Sequence, residues 1–203
     1  MVPLPEDSDS AGALCYVVLL SGTHVTGKET LAASLCRFLG CPWLKAEAAH
    51  TMARTGARSQ AGKGYDHGEV FGRIWFSKLQ RMGLSSDGSG SKTGCAAVIT
   101  SYATRKVGRD AMRSVMRANS IKIIFVILQI SEETLSGRTL GAEEPELAER
   151  IMGEKIADIQ EPLEEELERD VITIDSMRDV DSLFEEIKGA VESRRVCLTN
   201  DAS

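Results

Sequence analysis

Gly22 and Gly27 bracket four residues, and Lys28 follows the second glycine at once, in the stretch "GTHVTGKET" from Gly22 to Thr30. This is the G-x-x-x-x-G-K spacing of a loop that wraps a phosphate. The chemistry is electrostatic. The glycines let the backbone turn the N–H groups of Thr23, His24, Val25 and Thr26 inward, the start of the following helix adds partial positive charge, and Lys28 reaches the β and γ phosphates. ATP is the expected ligand. A hydroxyl normally follows the lysine and touches Mg²⁺. Here Glu29 stands in that position, with Thr30 after it. Three arrangements are open: Glu29 ligates the metal through a carboxylate oxygen, Thr30 supplies the hydroxyl after a shift of register, or Glu29 turns outward as an acid stabilised by the helix dipole. Glu29 and Thr30 are therefore the metal candidates, and Glu29 is expected to face the metal side of the loop.

Such a loop works only between a strand and a helix, and the flanking residues supply both. "CYVVLL" from Cys15 to Leu20 is a short β-branched apolar run, as in a parallel strand buried on both faces. Leu31, Leu35 and Leu39 recur every four positions after the loop, marking a helix from Gly27 to Leu39 stopped by Gly40 and Pro42. Further strands are expected at "CPWLKAE", "CAAVIT" (Cys95 to Thr100), "IKIIFVILQI" (Ile121 to Ile130) and "DVITID". Helices are expected around Val70, Ile74 and Leu79, from about Thr104 to Ala118, after Ser131, from Pro145 and from Val180 to Val191. Thr51 to Tyr65 reads as loop or broken helix, and "GLSSDGSGSKTG" as a flexible excursion. Alternating strands and helices predict an α/β, three-layer P-loop NTPase fold: a five-stranded parallel sheet with helices on both faces. Ligands of such sheets lie beyond the carboxyl ends of the strands, so the loops after Leu20, Glu47, Thr100, Ile130 and Asp175 are where chemistry belongs.

A chain of 203 residues suits one core. Residues 14–194 are expected to form a single domain, with 1–13 as a disordered tail and 195–203 as a loose one. The net charge of -6 argues against a surface built for nucleic acid or anionic lipid. Cys15, Cys36, Cys41, Cys95 and Cys197 are odd in number and lack C-x-x-C spacing, which points to a reducing, cytoplasmic setting.

Several motifs together resemble the gluconokinases of the thermoresistant type, small P-loop carbohydrate kinases, over roughly Tyr16 to Lys188. Where that family follows its second strand with a D-G-D-D-L-H-P type motif, this chain has "KAEAAHT", keeping Glu47 and His50. The family's C-S-A-L-K-R-x-Y-R-D motif is similar to "SYATRKVGRD", with Arg105 in place of lysine and Lys106, Arg109 and Asp110 kept. The lid motif R-L-x-x-R-x-G-H-F is reduced to "RTLGAEEPE", which keeps Arg138 but has Ala142 at the second arginine; "IQEP" matches the family's L-x-E-P. The resemblance implies that Lys28, Glu47 and Arg138 are catalytic. Lys28 neutralises the transferred phosphoryl, Glu47 orients the acceptor hydroxyl or a Mg²⁺ water, and Arg138 covers the adenine or phosphates. Glu47, His50, Arg105 and Arg109 would bind the substrate. Arg113 and Arg117 read instead as a solvated basic face, and "EPLEEELERD" as a charged helix end at the surface.

The expectation is an ATP- and Mg²⁺-dependent phosphotransferase acting on a hydroxyl of a sugar acid or polyol. Two other readings use the same residues: a nucleotide-binding protein without transferase activity, to which Glu29 and Ala142 point, and a kinase of nucleotides or other metabolites. The expected partner is a small-molecule substrate, with neither nucleic acid nor membrane, and with homodimerisation left open.

Overall fold

The computed structural model of the protein describes residues 15–22, 26–45, 67–82, 94–101, 106–131, 146 and 162–200. At its centre is β1 (Tyr16–Gly22), buried at every position. Continuous apolar sequence has this outcome because a parallel strand flanked on both sides by strands and covered on both faces by helices offers no solvent-facing row. β1 pairs in parallel with β3 (Cys95–Ser101) on one side and with β4 (Lys122–Gln129) on the other. β2 (Trp43–Lys45) and β5 (Val171–Asp175) close the edges, giving the parallel order β2-β3-β1-β4-β5.

Successive side chains of β1 alternate between two cores. Tyr16, Val18 and Leu20 pack with α1 (Lys28–Leu39) through Leu31 and Leu35, and with the last helix through Leu183, Ile187 and Val191. Val17 and Leu19 face α2 (His67–Arg81) through Trp75 and Leu79, and α3 (Lys106–Arg117) through Met112 and Met116. Gly40 ends α1 in the left-handed conformation, φ 65°, its N–H returning to the Cys36 carbonyl. The five expected strands and the parallel, two-faced architecture are all present. The helices expected after Ser131 and from Pro145, and the expected loops at 51–65 and 83–93, lie outside the described residues, apart from Glu146, which is helical.

Two expectations are corrected here. The last helix, α5 (Val180–Asn200), does not stop at Val191, so residues 195–200 are helical and not a loose tail. Asp179 starts it, its carboxylate accepting from the N–H and hydroxyl of Ser182 at 2.9 and 2.6 Å. The second correction concerns charge. Within "EPLEEELERD" lies a short helix, α4 (Glu164–Arg169), and Glu166 and Asp170 are buried against α3. Arg109 grips Glu166 with two parallel hydrogen bonds, Nε to Oε1 at 3.0 Å and Nη2 to Oε2 at 2.8 Å. Arg113 does the same to Asp170, at 2.8 and 2.7 Å, and its Nη1 also lies 2.8 Å from Glu166 Oε1. Arg113 therefore belongs to the interior, whereas Arg117 is exposed as expected. Matched spacing explains the arrangement: residues four apart on a helix share a face, so the arginines of α3 line up with the acids of the α4 segment, Arg113 bridging both acids. Burying such charges is tolerable only because each is paired in a fork-to-fork geometry.

Candidate functional site

The phosphate loop is built by a strand that ends under crowding. At Gly22 φ is 150°, and a Cβ there would stand 2.8 Å from the Leu128 carbonyl oxygen on neighbouring β4. Only glycine lets β1 turn away from β4 at this point. Thr26 is buried within the returning chain, and Gly27 adopts the left-handed conformation, φ 76° and ψ 12°, before α1 starts with Leu31 N–H donating to the Gly27 carbonyl at 3.1 Å. Gly27 brings no side chain to cap the helix, so the first turn keeps backbone N–H groups for an anion. Half-buried Lys28 folds back over the loop, its Nζ donating to the Gly22 carbonyl at 2.8 Å. The ammonium is thereby held over the end of β1.

Glu29 turns toward the carboxyl end of β2, on the ligand side of the sheet, where Lys45 meets it with Nζ 3.1 Å from Oε2. Lys45 is itself set in place: its ammonium lies 4.3 Å from the centre of the Trp43 ring, and Trp43 Nε1 donates to Thr100 Oγ1 at 3.1 Å. Thr30 is exposed on the same first turn of α1. Glu29, so paired, does not fit a divalent cation. The carboxylate in the metal position is already neutralised by Lys45, whose ammonium would stand beside any ion that Glu29 held. Among the described residues no group of three or more histidines, cysteines or acids could hold a metal.

Of the residues expected to contact nucleotide or substrate, the structure brings together Gly22, Thr26, Gly27, Lys28, Glu29 and Thr30. Thr23, His24, Val25, Glu47, His50, Arg105 and Arg138 lie outside the described residues. Arg109 is a correction. Fully buried and held by Glu166, it faces the interior between α3 and α4, so its guanidinium serves packing and not a substrate. Lys45 is the residue sequence reasoning missed. Its signal was a basic residue opening "KAEAAHT" just where an acid stands in the gluconokinase motif, paired with an acid where the loop calls for a hydroxyl.

A cavity of about 580 Å³ lies elsewhere, lined by Arg73, Phe76 and Ser77 of α2 and by Ser114, Val115 and Asn119. It sits on the pair of helices that covers one sheet face and shares no residue with the loop. Among the described residues no helix is long and apolar enough to cross a membrane.

No protein-family model matches this chain, and no curated protein matches it by sequence. Solved structures do match in three dimensions. A sugar kinase from Janibacter sp. HTCC2649, solved without ligand, superposes with a TM-score of 0.61 at 19% identity, over 88% of this chain and 95% of that one. A gluconokinase from Sinorhizobium meliloti 1021 gives 0.56 at 16% identity, over 93% and 96%. The APS kinase of Mycobacterium tuberculosis, solved with AMPPNP and APS, gives 0.53 at 15% identity, over 88% and 98%. At such identities the likeness speaks for the fold alone, and the fold of this chain is that of the P-loop kinases.

Proposed function

We propose that the protein binds ATP on the loop from Gly22 to Thr30 and transfers the terminal phosphoryl group to a hydroxyl of a small molecule, a sugar acid or polyol as in the gluconokinases. The observation that carries this reading is Lys28, held over a glycine-bounded strand-to-helix turn by its 2.8 Å bond to the Gly22 carbonyl. Phosphoryl transfer asks a protein for little beyond position and charge. The loop amides and the start of α1 hold the β and γ oxygens, and Lys28 leaves the Gly22 carbonyl to neutralise charge gathering on the transferred group. The acceptor belongs beyond the carboxyl ends of β2 and β3, where Glu47, His50 and Arg105 follow in sequence, with Glu47 to orient the hydroxyl. Arg138 covers the nucleotide. Because Glu29, paired with Lys45, does not fit a divalent ion, no step is routed through one.

A second reading, nucleotide binding without transfer, is favoured by one specific observation: the Glu29–Lys45 pair in the position where kinases of this fold hold a metal. A single experiment separates the two. ATP affinity is measured for the protein and for Lys28→Ala, beside turnover on a panel of sugar acids, polyols and nucleoside monophosphates. Binding that disappears with Lys28→Ala, together with turnover of a sugar acid or polyol, is the expected result. Binding without turnover on any acceptor would establish the second reading, and affinity unchanged by Lys28→Ala would remove the phosphate loop itself.

A further inference from the structure

Lys45 stands at the carboxyl end of β2, level with Thr100 of β3, and so on the side of the sheet where β1 releases the phosphate loop. An exposed salt bridge there would ordinarily be incidental, since two solvated side chains gain little from each other. Three observations set this one apart. The lysine is not loosely placed: its ammonium rests on the Trp43 indole, and that indole is tied to the next strand through Thr100. Its partner is Glu29, the residue directly after Lys28, where a loop of this kind carries the hydroxyl that touches the metal. Finally, the two departures from the expected pattern complement each other. The carboxylate expected at the head of the segment after β2 has become a lysine, and the neutral hydroxyl expected in the loop has become a carboxylate. A pair suited to attracting a cation has been exchanged for one that contains its own.

We propose that Lys45 supplies the cation of this phosphate site, so that the protein binds a nucleoside triphosphate without a divalent ion. In the free protein Glu29 holds the Lys45 ammonium at the rim of the loop. When a triphosphate settles on the amides and Lys28, Lys45 exchanges one anionic partner for another, moving from the carboxylate to the β and γ oxygens. Its side chain is about half exposed (52%) and lies on the indole face, which leaves the ammonium free to swing by rotation about its own bonds. Glu29, left behind, stabilises the start of α1 as an acid in a first turn does. The inference rests on the reading that the loop binds a triphosphate, and deepens it.

The test is ATP affinity of the full chain by titration calorimetry, in a buffer with EDTA and in one with Mg²⁺. The protein should bind about equally in both, within roughly twofold, because the charge a metal would bring is already present. Lys45→Ala should weaken binding in EDTA about tenfold or more, the cost of losing a hydrogen bond between charged groups, and Mg²⁺ should then restore part of it by occupying the vacated place beside Glu29. The double change Glu29→Ser with Lys45→Asp, which installs the gluconokinase-like pair, should turn binding into a metal-dependent process. Both sites are exposed, so thermal denaturation of each variant should match the parent and exclude misfolding. Binding that needs Mg²⁺ in the unaltered protein, or EDTA affinity indifferent to Lys45→Ala, would overturn the proposal and leave the phosphate loop standing. No binding in either buffer would overturn the loop reading and this inference with it.

Discussion

Replacing Glu166 by glutamine keeps the side chain's size but removes its charge and turns one acceptor oxygen into an NH2 donor facing the arginines, which makes it a test of the buried network. Glu166 is inaccessible to solvent, and its carboxylate receives Arg109 through two hydrogen bonds, Arg113 at 2.8 Å and the Leu163 N–H at 3.1 Å. The Arg109 hydrogen bonds, acting against burial and aided by Leu163 and Arg113, hold the acid at about 2 in place of 4.5. At roughly 1.4 kcal/mol per tenfold, that preference for the charged form amounts to about 3 kcal/mol of stability. Loss of one partner from a buried ion pair costs about 3–5 kcal/mol by independent reckoning, so the two routes agree. The sign follows from the depressed value. The contribution is complete above the unfolded acid's 4.5, shrinks as pH falls, and is gone below about 2. Urea denaturation of the protein and of Glu166→Gln should therefore differ by about 3 kcal/mol near neutral pH and by about half as much near pH 3.5. Added salt should change the difference little, because the groups are out of solvent. A difference below about 1 kcal/mol at neutral pH would refute the reasoning, since that is the range of a surface pair. So would a difference that does not move between neutral pH and about pH 3.5.

Gly22→Ala should cost about 1–3 kcal/mol and loosen nucleotide binding, since its Cβ would press on the Leu128 backbone oxygen at a φ of 150°; calorimetric melting and ATP titration check both effects. Among the thiols, Cys41 is pushed up to about 12, where the lowering effect of its hydrogen bond with Cys36 is outweighed by its hydrogen bond with Cys95 and by burial. Cys36 is raised as well, through its hydrogen bond with Cys41 and burial. Exposed Cys197 should accordingly take up iodoacetamide near pH 8 well before Cys36 and Cys41, a ranking that peptide mass mapping of briefly treated protein would read out.

The sheet was legible because burial on both faces leaves a plain mark. β1, β3 and β4 need apolar residues, many of them β-branched, along nearly their whole length, and "YVVLL", "CAAVI" and "KIIFVIL" have no other simple use in a chain of this size. The phosphate loop was legible for a different reason: glycine spacing and a lysine fix backbone shape and charge together. What escaped was the pairing of charges across distance. Arg109 and Arg113 look from the sequence like any basic helix face, and Glu166 and Asp170 like any acidic one, because the i, i+4 spacing that sets them face to face also suits a solvated surface. Lys45 was hidden in the same way, its partner lying 16 residues away on another element. Local patterns reveal what a backbone must do, whereas an ion pair between elements becomes visible only once the fold has placed both ends.

The pairing of α3 with α4 also bears on how this protein can change over generations. Both forked bonds join residues 57 positions apart, and the chain between them includes the stretch 132–161 that separates β4 from α4. Closing a segment costs entropy that grows only with the logarithm of its length, so doubling it adds about 0.6 kcal/mol. Four charges in register fix where the chain must return, whatever its length in between. They hold α4, and β5 directly after it, on one side of β4, while β1 lies on the other. Related chains should therefore keep the two arginines and the two acids together, because losing one of the four leaves a buried charge unpaired.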